Sequence, residues 1–255
     1  MTLKSRHRLF ASDEESHQHS LETLQLVEKY EDFMQSVKVV YDMGCGAGFD
    51  TNWWATRVNP KTERPYNIQC YGMDIDKRLK IHLRDNLKFV PGDFEQYDPG
   101  IKADLIWSHD SFRFSTNPLG TLKIWNKQLN PGGALFLITP QTYITDKQGL
   151  HQSRSISYSY FYFNITNLMY MLAVSGFDCR TGHFYKKPND PWIHCMVYKT
   201  DNPELDPKNT SLADLLDLNV LPDSAVVGIK TTGEIRQEDI FTHWISGHYC
   251  RWSQV

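Results

Sequence analysis

Residues 42–48 read Asp-Met-Gly-Cys-Gly-Ala-Gly. The three glycines stand between a short β-branched run at 37–43 and a stretch with helical spacing at 49–57. A glycine turn in that place lets backbone approach a ligand, and the N–H groups that open the following helix face it. The spacing is G-x-G-x-G, not the G-x-G-x-x-G of a dinucleotide-phosphate cradle. Asp42 precedes the first glycine by two residues, where a carboxylate repels a pyrophosphate and attracts a positively charged ligand. Three further positions have the same character. Asp74 ends a second apolar run, Asp93 follows Pro91-Gly92, and Ser108-His109-Asp110 follows a third run. In an open α/β sheet, ligands bind outside the carboxyl ends of the strands. His109 is of the type that takes protons near neutral pH, or it hydrogen-bonds and packs beside a ligand.

The elements that must position these residues alternate. Strands are predicted at 37–43, 68–73, 89–90, 103–108 and 134–139, and helices at 49–57, 76–86 and 118–129. Asp76 is expected to cap the second of these helices. Asn117 caps the third, with Pro118 in its first turn, and Asn130-Pro-Gly-Gly stops it. This alternation predicts a doubly wound, mostly parallel α/β sheet. A helix at 166–175 follows, then two runs at 177–186 and 192–199 that read as an antiparallel hairpin. Before the first strand, residues 20–35 read as an amphipathic helix capped by Ser20, with a loose polar lead-in at 12–19. After the hairpin, 201–209 is linker-like. A weak helix is expected at 211–217, a strand at 225–230 and a helix near 236–245.

The chain has 255 residues, with 27 Lys plus Arg against 30 Asp plus Glu. Nine acids and four bases fall in 201–255, a charge of −5, which leaves +2 on the rest. Neither part is an electrostatic footprint for nucleic acid. No apolar run is long enough to span a membrane, and the basic start lacks the apolar core of a secretory signal. Five widely spaced cysteines without a CxxC pair argue against a disulfide framework or a zinc cage. A reducing, cytoplasmic setting is expected, with no metal.

From residue 37 to about 199 the sequence resembles the class I S-adenosylmethionine-dependent methyltransferases. The donor of that family has an ammonium, a sulfonium and no phosphate, as the position of Asp42 favours. Five motifs match in order: Asp42-Met-Gly-Cys-Gly-Ala-Gly48, Gly72-Met-Asp74, Gly92-Asp93-Phe94, the strand Asp104-Leu-Ile-Trp-Ser-His109, and Asn130-Pro-Gly-Gly-Ala-Leu. The resemblance implies a Rossmann-like sheet of seven strands with the C-terminal hairpin. It implies that Asp42, Gly44, Cys45, Gly46 and Gly48 hold the cofactor, with S-adenosylhomocysteine as product. Asp74, with Ile75 beside it, is placed at the ribose, Asp93 and Phe94 at the adenine, and Ser108 at the same cleft. Cys45 is there as a small residue, with no nucleophilic role. The polar loop at 59–67 is longer than the family needs and is expected to project from the rim.

The acceptor side is expected just past the fourth strand, with His109 as the catalytic candidate and Asp110 orienting a ligand amine or capping a turn. His151, Tyr158 and Tyr160 are the candidate substrate wall, although the aromatic run at 157–163 reads more readily as a strand-like piece packed on the body. At least one of Trp53 and Trp54 is expected in the core or against the N-terminal helix. The segment after the fourth strand lacks the Asn/Asp-Pro-Pro-aromatic motif of amino-methylating DNA enzymes. It also lacks the Pro-Cys nucleophile of cytosine-C5 enzymes. A small-molecule acceptor is therefore expected, with nucleic acid and membrane disfavoured and the oligomeric state open. Two alternatives stand beside it. One is a protein or nucleic-acid acceptor met by Lys77, Arg78, Lys80, Arg84 and Lys88. The other is a non-catalytic cofactor-binding partner. Three segments are expected: 1–36 as an N-terminal helical segment or lid, 37–200 as the cofactor-binding domain, and 201–255 as an acidic, small α+β extension.

Overall fold

The computed structural model of the protein describes residues 13–76, 83–140, 143–145, 151–153, 160–161, 163–185, 192–223, 226 and 230. In chain order the elements are α1 (Asp13–Glu28), α2 (Glu31–Ser36), β1 (Val39–Met43), α3 (Phe49–Ala55), β2 (Gln69–Asp74), β3 (Leu87–Pro91) and β4 (Ala103–His109). Then come α4 (Pro118–Gln128), β5 (Leu129–Pro140), the short pair β6 (Tyr143–Thr145) and β7 (His151–Ser153), α5 (Ile165–Val174), β8 (Phe177–Tyr185), β9 (Trp192–Lys199) and α6 (Leu212–Asp217).

Seven strands form one sheet in the order β3-β2-β1-β4-β5-β9-β8. The first five are parallel, and β9 and β8 close the edge as an antiparallel hairpin. This is the predicted doubly wound sheet. The central strands are apolar on both faces because helices cover both, as parallel sheets require. Val40 and Tyr41 of β1, Leu105, Ile106 and Trp107 of β4, and Leu135 through Ile138 of β5 are all buried. The chain runs outward from β1 to β2 and β3, then returns to the other side of β1 at β4. The loops after β1 and β4 thus diverge at a topological switch point, which opens a crevice at their carboxyl ends.

The helices begin where local chemistry allows. Asn117 accepts the Gly120 N–H (3.1 Å) with Pro118 in the first turn of α4, and Asn164 accepts the Asn167 N–H (2.7 Å) at α5. One core face packs α1 and α3 through Leu24, Val27, Trp53, Trp54 and Trp107. The opposite face packs α4 and α5 through Leu122, Trp125, Leu168 and Leu172, and takes in Leu215, Val220 and Leu221 from the segment after the hairpin.

Four local expectations change. The lead-in at 12–19 is helical from Asp13, and Ser20 lies inside α1 rather than capping it. Residues 13–19 lack an apolar stripe, so periodicity missed them; their inward contacts are polar. The predicted single helix also breaks at Lys29-Tyr30 into α1 and α2. The helix expected at 76–86 has 77–82 outside the described residues, and its far end is not helical, since Arg84 bridges Leu87. In place of the strand at 225–230, Asp223, Val226 and Lys230 are helical, with the Val226 N–H donating to the Pro222 carbonyl (3.0 Å). Pro222 presets the first-turn dihedral, which outweighs the β-branched run. The helix near 236–245 lies outside the described residues.

Candidate active site

The glycine turn after β1 is shaped by its glycines and locked to the neighbouring strand. Gly44, Gly46 and Gly48 have φ of +81°, +55° and +86°, which disfavour any side chain. The Gly44 and Cys45 N–H groups both donate to the Met73 carbonyl at 2.8 Å. A Cβ on Gly44 would lie 2.2 Å from the Ser111 Cβ, so the turn after β4 presses directly against this one. Ser111 fixes that contact, since its hydroxyl donates to the Met43 carbonyl and pairs with Ser108 Oγ at 2.7 Å. Gly46 differs, because nothing lies within 4 Å of where its Cβ would stand, and the same holds at Gly92.

Carboxylates surround this turn. Asp42 is buried at the end of β1 and accepts the Thr51 hydroxyl at 2.5 Å. Burial and the charges of Asp50 and Asp74 hold its carboxyl well above the usual carboxylate range, against the Thr51 hydrogen bond. Asp74 ends β2 and accepts the Gly46 N–H (2.8 Å) on one oxygen and the Asp76 N–H (2.7 Å) on the other. A carboxylate has lone pairs beyond those two. Burial and the same acids push the Cys45 thiol well above its usual range, so it is protonated and not a nucleophile. Ile75 is 62 % exposed, an apolar side chain at the mouth of the crevice.

Asp93 accepts the Glu95 N–H (2.9 Å) in a tight turn, and Phe94 leans on Trp125 with ring centres 5.8 Å apart. Glu95, which the sequence reading passed over, ties this turn to the loop after β4. Its carboxylate accepts the Thr116 N–H (2.7 Å), the Thr116 hydroxyl (2.8 Å) and the Asn117 N–H (3.1 Å), and the Ser115 hydroxyl as well. Burial raises its pKa, yet these donors outweigh that and hold it below the usual range.

On the α1 side of the crevice, a polar cluster joins four elements. Asp50, in the first turn of α3, accepts the Ser20 hydroxyl (2.7 Å) and the Trp107 indole N–H (3.0 Å), and lies 2.6 Å from His17 Nδ1. Burial raises its pKa, and the donors, with His109 nearby, more than reverse this. His109 ends β4 with Nδ1 facing Asp50 Oδ2 at 3.8 Å and Nε2 against His19 Nδ1 at 3.0 Å. Its ring is stacked on His19, centres 5.2 Å apart. Burial lowers the His109 pKa to about 3, with Asp50 opposing and His19, His194 and His17 adding to it. His194 of β9 pairs with Thr23 of α1 at 3.1 Å, and Trp192 lies 4.8 Å from the His19 ring. His17, His19, Asp50 and His194 were missed. The buried stripe Ser20–Leu24–Val27, at i, i+4 and i+7, was the available signal for where α1 faces.

Asp110 takes a left-handed φ of +57° and engages the buried Arg113, whose Nε lies 2.7 Å from Oδ1. The Arg113 carbonyl accepts the N–H groups of Tyr160 (3.1 Å) and Phe161 (3.2 Å). Tyr160 is 57 % exposed, whereas Phe163 is buried against Phe112. His151 opens β7, paired with Thr145. Tyr158, Lys77, Arg78 and Lys80 lie outside the described residues. Among the described residues, no group of three or more His, Cys, Asp or Glu is placed to hold a metal, and no helix is long and apolar enough to cross a membrane. Trp53 and Trp54 are both buried, as expected.

Comparison with known proteins agrees with this architecture. The methyltransferase-domain family matches residues 41–137. Malonyl-[acyl-carrier protein] O-methyltransferase 2 of Ilyobacter polytropus is 28% identical over 100 residues, spanning 39% of this chain and 38% of that protein. A Listeria monocytogenes structure assigned as an S-adenosylmethionine-dependent methyltransferase superposes with a TM-score of 0.54 at 14% identity, over 72% of this chain and 100% of that one. A Galdieria sulphuraria structure assigned as a sarcosine dimethylglycine methyltransferase also gives 0.54, at 15% identity, over 73% and 88%. These structures share the fold. Residues 41–137 match the methyltransferase-domain family, and the chain shares the Rossmann-like fold of these S-adenosylmethionine-dependent methyltransferase structures.

Proposed function

We propose that the protein transfers a methyl group from S-adenosylmethionine to an oxygen, nitrogen or carbon nucleophile of a small-molecule acceptor. One observation carries this reading: Asp42, Asp50 and Asp74 surround an open glycine turn at the sheet's switch point. Carboxyls gathered there suit a ligand with a sulfonium and an ammonium, whose positive charge favours their ionised forms, and oppose a phosphate. The residues fit such a molecule. Open space stands over Gly46 and Gly92, Ile75 offers an apolar face, and Asp74 is an acceptor of the kind that ribose hydroxyls need. In this reading Asp93 and Phe94 meet the adenine, and Ser108 backs the crevice through Ser111. The cofactor supplies an electrophilic methyl group on sulfur. The chain's own part is to position the acceptor and exclude water, effects worth about 7–11 kcal/mol in well-aligned systems.

His109 borders the acceptor side, with Asp110 and Tyr160 on the loop beyond it. The Ilyobacter relative is named for a malonyl group carried on acyl-carrier protein, which accords with a small acyl-type or metabolite acceptor. Calorimetry tests the cofactor: S-adenosylmethionine and S-adenosylhomocysteine should bind and NADH should not. Asp74→Ala should weaken binding by about tenfold or more, some 1.4 kcal/mol. Tritiated methyl transfer into fractionated cell extract tests the acceptor. Label in small metabolites is expected, and label confined to protein or nucleic acid would refute a small-molecule acceptor.

A further inference from the structure

We infer that Glu95 is a positioning residue that couples the adenine end of the cofactor site to the acceptor-side loop, so that bound cofactor sets the wall against which the acceptor stands. This rests on the methyltransferase reading above and adds to it the link between the two halves of the site.

The link is built from hydrogen bonds. On the cofactor side, Asp93 closes a tight turn. Its carboxylate accepts the Glu95 N–H (2.9 Å) and its carbonyl accepts the Gln96 N–H (3.1 Å). The Phe94 carbonyl accepts the Trp125 indole N–H (3.2 Å), which pins the middle of that turn to α4. Glu95 is thus carried by the turn that presents Asp93 and Phe94. On the acceptor side, its Oε1 accepts the N–H groups of Thr116 and Asn117 and the hydroxyls of Ser115 and Thr121, and its Oε2 accepts the Thr116 hydroxyl. Capping of α4 does not require these donors, because Asn117 already caps that helix. They hold the Glu95 carboxyl below its usual range, so it is ionised at neutral pH. Bonds to an ionised acceptor are roughly twice as strong as neutral ones.

The loop so held carries the acceptor wall. Residues Phe112–Phe114 form a 3-10 turn closed by the Phe114 N–H on the Ser111 carbonyl (2.9 Å) and the Ser115 N–H on the Phe112 carbonyl (3.0 Å). Arg113 lies in that turn, and its carbonyl accepts the N–H groups of Tyr160 and Phe161. The near end of the loop is fixed by Ser111 against Gly44, and the far end by Glu95. A ligand favours an arrangement only through contacts it makes better there. Adenine contacts at Asp93 and Phe94 favour the closed turn, and the closed turn places Glu95 against Thr116 and Asn117. Coupling of this kind is reciprocal, so a change at Thr116 is felt in cofactor affinity by the same factor.

The test uses the full chain and S-adenosylhomocysteine. Thr116 is exposed, and its hydroxyl reaches Glu95. In calorimetry, Thr116→Val should weaken binding by about threefold or more, and Thr116→Ser, which keeps the hydroxyl, should bind as the wild type does. Glu95→Leu should weaken binding by about fivefold or more, the low end of coupling between sites, and adding Thr116→Val to it should change nothing further. Glu95→Gln, whose amide oxygen can stand in for Oε1, should recover most of the loss. Amide exchange of Tyr160 and Phe161 reads the other end, because their bonds to Arg113 do not involve Glu95. S-adenosylhomocysteine should slow both by about fivefold or more in the wild type and leave both unchanged in Glu95→Leu. Wild-type affinity in Thr116→Val, or slowing that persists in Glu95→Leu, would overturn the inference. If Glu95→Leu does not fold, the contrast between Thr116→Val and Thr116→Ser decides. Failure of the wild type to bind S-adenosylhomocysteine would instead remove the methyltransferase reading, and this inference with it.

Discussion

At the residue scale, the glycine turn separates folding from binding. Gly44 has a positive φ and no room for a Cβ beside Ser111. Gly44→Ala should therefore cost about 1–3 kcal/mol or more of stability in urea unfolding. Gly46 shares the positive φ but faces open space. Gly46→Ala should cost only the left-handed backbone, about 1–2 kcal/mol and less than Gly44→Ala, while its S-adenosylmethionine affinity falls. Asp42 makes a second prediction. Burial and its acidic neighbours raise its pKa, so its proton persists above the usual carboxylate range, and a sulfonium beside it would favour its loss. Binding should release protons and tighten as pH rises. Calorimetry in buffers of different ionisation enthalpy measures this, and S-adenosylhomocysteine, lacking the sulfonium, should release fewer. These residues were legible in the sequence because the turn is local: Asp42, the three glycines and the strand-ending Asp74 depend only on their near neighbours.

At the element scale, α1 is the part least legible and most consequential. Its first two turns bury polar groups, so no apolar period announced them, and its partners Asp50, His109 and His194 come from three separate elements. The β-strands and capped helices were readable because buried β-branched runs and Asn caps act within a few residues. Docking of α1 should depend on pH. With α1 undocked and water admitted, His109 moves back toward its ordinary value of 6.5; docked, it is held at about 3, amid Asp50, His17, His19 and His194. The undocked state thus binds a proton that the docked state refuses. Docking is strongest above about pH 6.5 and weakens as pH falls toward 3. Asp50, held below its usual range, adds a further loss once pH falls below its ordinary value of 3.8. Hydrogen exchange of α1, corrected for intrinsic rates, should accelerate between about pH 7.5 and pH 5 while the central strands stay protected. His109→Leu should flatten that dependence.

At the scale of the whole molecule, the two ends of the described chain cover opposite faces of one sheet. Composition separated a near-neutral body from an acidic tail, yet charge carried no information about packing. Leu215, Val220 and Leu221 of that tail are buried in the body's core, the Leu205 N–H donates to the Val174 carbonyl (3.0 Å), and the Cys179 N–H donates to the Val220 carbonyl (2.9 Å). Truncation after residue 203 should therefore lower the melting temperature by about 5 °C or more and expose apolar surface to dye, which scanning fluorimetry reads directly. A tail that was only a solvated acidic appendage would leave both unchanged.

The hydrogen bond between Thr23 and His194 joins residues 171 positions apart. α1 leaves the ribosome well before β9, which follows only after the rest of the sheet has been made. The helix therefore has no complete binding surface during most of synthesis, and closing so long a loop waits on everything between. Its histidines and flanking acids give it a water-compatible face for that interval. The order of events that follows is a sheet that assembles first and a helix that docks last, so that the candidate active site is completed only at the end of folding.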